Sequence, residues 1–64
     1  NRDEDALKAL SEAIQIDKQN DLAYIERAKV WILMGKPSKA EKDLQQALQL
    51  GNKQAEELLA TVKK

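Results

Sequence analysis

The chain has no cysteine, no histidine and no phenylalanine, and its 64 residues hold only two glycines, one proline, one tryptophan and one tyrosine. Without cysteine there is no disulfide, no thiolate nucleophile and no sign of a redox compartment. Without histidine, the commonest metal ligand and the commonest acid–base group near neutral pH are missing. Net charge is absent as well, because eleven basic and eleven acidic residues are interleaved. A surface for nucleic acid or for an anionic membrane would carry a basic excess, so the sequence points to neither. Long hydrophobic runs are missing too. The longest, Val30-Trp31-Ile32-Leu33-Met34, falls far short of the ~20 residues that span a bilayer. The polar start, Asn1 to Leu10, lacks the apolar stretch and cleavage site of a signal peptide. It also opens without methionine, which reads as a piece cut from a longer chain. Localisation stays open, with a soluble, cytoplasmic setting as the default.

What is present is helix-forming. Alanine, leucine, glutamate, lysine and glutamine dominate, and β-branched residues are few. Ala6, Leu7, Leu10, Ala13 and Ile14 recur at helical spacing, behind Asp3, Glu4 and Asp5, which complement a helix dipole. Punctuation then divides the chain. Asn20 or Asp21 reads as an N-cap, and Gly35 and Gly51 read as left-handed stops. Pro37 starts a third helix, or Ser38 and Glu41 form a capping box one residue later. These signals predict an all-α chain of four helices over about 3–17, 21–34, 37–50 and 53–63. The five-residue apolar run is then the end of the second helix, since Tyr24, Ala28 and Trp31 lead into it at helical spacing.

Sixty-four residues bury only about 60% of their unfolded surface, so the core is marginal without a staple or a partner. The chemistry is equally sparse. The carboxylate clusters sit in helix first turns, where the dipole explains them. The turns offer one acid each, too few for a metal cage, and both glycines are helix stops rather than parts of a phosphate loop. The reading is a chain without catalytic residues, metal or cofactor.

Shifting the chain by 34 residues lays Ala6, Leu10, Ala13, Ile14 and Ile16 on Ala40, Leu44, Ala47, Leu48 and Leu50. The same shift lays Tyr24, Ile25 and Ala28 on Leu58, Leu59 and Val62. That period and pattern resemble the tetratricopeptide repeat, with its signature W-x2-L-G-x2-Y, then A-x3-F, then P. Tyr24 stands for the first aromatic, Ala28 for the glycine, Trp31 for the second aromatic, and Ala40 with Leu44 for the A-x3-F pair. Ala47 fills the next small position. Arg27 departs from the leucine, and Asn52 departs from the proline. The resemblance divides residues 1–64 into the second helix of a partial repeat (1–20), one complete repeat (21–52) and a terminal capping helix (53–64). The implied fold is a short right-handed α-solenoid of stacked antiparallel hairpins, with the polar fourth helix as the end of the array.

The resemblance also implies a function: a non-enzymatic scaffold that binds a peptide or partner helix on its concave face. Carried over, that face comprises Leu22, Ile25, Glu26, Lys29, Ile32 and Leu33, with Glu56, Leu59 and Lys63 beyond. The family's clamp for acidic chaperone tails is not expected, because Glu26, Glu56 and Ala60 stand where its asparagine, lysine and arginine would be. Tyr24 and Trp31 read as core. Arg27 reads as snorkelling along the stack or pairing with an acid on a neighbouring helix. The second helix is apolar on both sides, and Leu7 and Ala9 widen the apolar face of the first. Such a face reads as one that an upstream helix covered in a longer chain, as one that a second copy covers, or as both. The homodimer reading uses Leu7, Leu10, Ile14 and Ile25. The alternative to a binding scaffold is thus a structural self-association or spacer segment with no ligand of its own.

Overall fold

A computed structural model describes residues 2–62. These form four helices and no strand: α1 (Arg2–Ile16), α2 (Asp21–Leu33), α3 (Pro37–Gln49) and α4 (Gln54–Val62). The expected bounds hold to within a residue at each described end, and the alternatives left open at the termini resolve locally. Asn20 is the N-cap of α2, its side-chain oxygen accepting from the Ala23 N–H at 3.2 Å. Pro37 is the first residue of α3, and no side chain caps that end, so the capping box is not used.

Both glycine stops close in the same way. Gly35 has φ +75° and Gly51 has φ +98°, a region that costs a side chain but not glycine. After Gly35, Lys36 N–H donates to the Trp31 carbonyl at 2.8 Å while Gly35 N–H donates to Ile32 at 3.0 Å. After Gly51, Asn52 N–H donates to Ala47 at 3.1 Å while Gly51 N–H donates to Leu48 at 2.9 Å. Each pair is a Schellman closure, which satisfies helix-end carbonyls and turns the chain back sharply.

The short turns make consecutive helices pack side by side, α1 on α2, α2 on α3 and α3 on α4, and α2 also touches α4. Helix α1 reaches neither α3 nor α4 closely. Arg27 of α2 bonds to both α1 and α3, so these two helices flank one side of α2. The thinnest dimension is 14 Å, which suits two helix layers at the usual 8–10 Å spacing. The core lies between the layers. It consists of Tyr24, Ile25, Ala28, Ala40, Leu44, Ala47, Ala55 and Leu59, with Ile14, Trp31, Leu50, Leu58 and Val62 packed against it. Ala28, Ala40, Ala47 and Ala55 are wholly buried, where a larger side chain would hold the helices apart. Trp31 is half-buried against this cluster.

Candidate protein-interaction face

Helix α2 has two unlike sides. Its inner side buries Ala23, Tyr24, Ile25 and Ala28. Its outer side exposes Leu22, Glu26, Lys29 and Leu33, spaced by four, three and four residues so that they fall in one stripe. The two leucines are 59% and 76% exposed, which leaves most of their apolar area in water. Between them Lys29 Nζ lies 3.6 Å from Glu26 Oε1, a surface pair that adds little to stability.

Beside this stripe a groove of about 260 Å³ runs between α2 and α4, lined by Lys29, Gln54, Glu57, Leu58 and Thr61. The α3–α4 turn holds the two helices in place. Asn52 accepts from the Gln54 N–H at 2.9 Å, and its amide donates to Asp21 Oδ2 at 2.8 Å. One side chain thus caps α4 and ties it to the first turn of α2.

The residues expected to line a concave face differ in exposure. Leu22, Glu26, Lys29, Ile32 and Leu33 are exposed on α2. Ile25 is not: it is 1% exposed, and Leu59 is 8% exposed, both within the core cluster. The two residues occupy equivalent positions under the 34-residue shift, and in both helices that position turns towards α3 rather than outward. Lys63 lies outside the described residues. The α4 wall of the groove is instead Gln54, Glu57, Leu58 and Thr61, none of which was assigned to it from sequence. The equivalence of Ile25 and Leu59 was the available signal, since the outward positions beside them, Glu26 and Ala60, carry a charge and a small residue.

None of the four residues expected for self-association is fully exposed. Leu7, Leu10 and Ile14 are half-buried, and Ile14 touches the core. Burial removes Ile25 from that surface as well. The exposed large apolar residues are Ile16, Leu22, Ile32, Leu33 and Leu48, three of them on α2.

On the opposite layer, Arg27 does pair with an acid on a neighbouring helix. Its Nε and Nη2 donate to the two carboxylate oxygens of Asp43, at 2.8 and 2.6 Å, and Nη1 donates to Ser11 Oγ at 3.2 Å. The guanidinium carbon lies 5.8 Å from the Tyr24 ring centre. The Asp43 hydrogen bonds hold the Arg27 guanidinium above its usual range, against the opposing effect of burial, and the negative charge of Asp43 and the Tyr24 phenol add to the shift. A second groove, about 310 Å³, opens beside this pair and is lined by Arg27, Trp31, Lys39, Lys42 and Asp43. Lys39 Nζ sits 4.7 Å from the Trp31 ring centre, a cation–π contact.

Among the described residues no three acids cluster as a metal cage would require, and every buried side-chain polar atom has a partner. No described helix is long and apolar enough to cross a membrane. The outer side of α2 is an apolar and charged helix face with a shallow groove beside it. No family model, no curated protein and no solved structure matches the chain.

Proposed function

We propose that the chain is a non-enzymatic protein-interaction module of the tetratricopeptide type, receiving a peptide or partner helix along the α2–α4 face. One observation carries this reading. Leu22 and Leu33, 59% and 76% exposed, share a stripe with Glu26 and Lys29, and Lys29 lines the groove beside α4. Single exposed apolar residues are ordinary. Two leucines on one helix face, bracketing an ion pair, form a surface that gains by being covered. A suitable ligand offers apolar side chains to the leucines and charges of both signs between them. An acidic tail is disfavoured, because Glu26 and Glu57 repel it.

The test is selection of a displayed random-peptide library on the immobilised chain, followed by titration of the enriched peptides against the labelled protein. Amide shifts centred on Leu22, Lys29, Leu33, Gln54 and Leu58, lost in Leu33→Glu, support the module. Shifts confined to the other layer, or no enrichment, leave the structural-segment reading in its place.

A further inference from the structure

The outer stripe of α2 has a symmetry that the rest of the surface lacks. Read in either direction from its midpoint, between Arg27 and Ala28, it runs charge and then leucine: Glu26 and Leu22 one way, Lys29 and Leu33 the other. The two charges have opposite sign, so the stripe is complementary to its own reversed copy. All four side chains are exposed, and no other described helix covers them.

We infer that the occupant of this face is a second copy of the chain, docked through α2 in antiparallel orientation about a two-fold axis. The inference rests on the reading of the α2 stripe as an interaction face and names its partner. In a two-fold interface each contact occurs twice with the roles exchanged. Here Leu22 of one copy meets Leu33 of the other, and Glu26 of one meets Lys29 of the other, twice over. The four-three-four spacing is that of a helix seam, which keeps side chains facing a partner helix along the contact. The ion pair within each helix becomes a four-charge set across the interface, alternating in sign, and the leucines close both ends against water. A parallel arrangement would set Glu26 against Glu26 and Lys29 against Lys29, so the charges also select direction. The contact is a single helix face, at the low end of interface sizes. The dimer is accordingly reversible and dependent on concentration.

Sedimentation equilibrium over a wide concentration range, on four proteins, tests this. The unaltered chain should show a monomer–dimer equilibrium. Glu26→Lys and Lys29→Glu should each weaken self-association by about tenfold, because each turns both cross-interface pairs repulsive. Mixed in equal amounts, these two variants should recover the lost association as a heterodimer, and the double variant Glu26→Lys/Lys29→Glu should recover it alone. All of these changes are at exposed positions, and circular dichroism confirms that each variant folds. A role confined to the i,i+3 pair within one helix cannot give recovery on mixing. A chain that stays monomeric throughout, or a mixture that associates no better than its components, overturns the inference. A monomer whose α2 stripe still responds to library-selected peptides refutes the dimer while leaving the interaction module standing. A dimer with the mixing behaviour above, but no selected peptide, supports the dimer and replaces the general module by self-assembly.

Discussion

Helices α1 and α3 are the same pattern written twice, yet they are buried to different depths. Under the 34-residue shift Ala6, Leu10 and Ala13 correspond to Ala40, Leu44 and Ala47. The α3 set is wholly buried, while the α1 set is half-buried and α1 contains no buried residue at all. Side-chain chemistry does not account for this, since all three matched pairs are identical. The number of neighbours does. Helix α3 lies between α2 and α4, whereas α1 packs on α2 alone. The pattern decides which face turns inward, and the count of neighbouring helices decides how much that face contributes, as expected where stability is a sum over adjacent units.

The sharpest way to break this comparison is to truncate the matched leucines. Leu44→Ala removes a fully buried side chain from the centre of the core and should cost about 3 to 4 kcal/mol. In so small a domain that approaches the whole stability, so the variant should be largely unfolded at room temperature by circular dichroism. Leu10→Ala removes a half-buried side chain and should cost about 1 kcal/mol, a modest fall in the urea midpoint. Equal losses would mean that α1 is as integral as α3 and that burial misstates its contribution.

The next largest effect concerns what the two helices do not share. Asp43 of α3 corresponds to Ala9 of α1, and Arg27 corresponds to Thr61, so the Arg27–Asp43 pair has no repeated counterpart. Arg27→Met leaves the Asp43 carboxylate, 6% exposed, without its partner. The cost should be about 2 to 3 kcal/mol, below that of a fully buried pair because Arg27 keeps some access to water. Since folding raises the Arg27 pKa, its contribution is fully present below the unfolded value and is lost only as pH rises through the folded one. Both values are strongly basic, so the arginine itself adds no pH dependence between weakly acidic and weakly basic conditions. Chemical denaturation of Arg27→Met and the unaltered chain across that range should give parallel profiles as far as the arginine is concerned.

Much of this was legible in sequence because it is local. The glycine stops, the Asn20 cap and the helical stripes each depend on a few adjacent residues. Arg27 was readable as a pairing residue, but not its partner: Glu41 and Asp43 both lie on α3, and only the packing angle turns Asp43 inward. Ile25 was misplaced for a related reason. Periodicity puts it on the flank of α2, and whether a flank is groove or core depends on how α3 packs against it. Asn52 stood out only as a departure from proline, although it caps α4 and holds Asp21. That second bond joins residues far apart in sequence, so no local pattern could announce it.

The turns between the helices extend the comparison to smaller energies. Gly51→Ala forces a side chain into φ +98°, although nothing lies within 4 Å of the added carbon. The cost is thus conformational, about 1 to 2 kcal/mol, and should be read as a lower urea midpoint with unchanged steepness. Gly35→Ala, at φ +75° with equally open space, should cost a similar amount. A much larger loss at Gly51 alone would show that the α3–α4 turn does more than reverse the chain.

Asp17 is the counterpart of Gly51, and its substitution should have the smallest effect. Its side chain accepts from the exposed Gln19 N–H at 3.0 Å, which stabilises the turn slightly. Its charge sits at the C-terminal end of α1, where the helix dipole opposes a negative group. The two effects pull against each other, so Asp17→Ala should change stability by less than about 0.5 kcal/mol. Asp17→Asn separates them, because it keeps an acceptor for Gln19 and removes the charge. That variant should gain about 0.3 to 0.5 kcal/mol at low salt, and the gain should shrink as salt screens the dipole. A loss in Asp17→Asn would show that the carboxylate holds the turn more strongly than one exposed bond allows, and that α1 is anchored at its end rather than along its face.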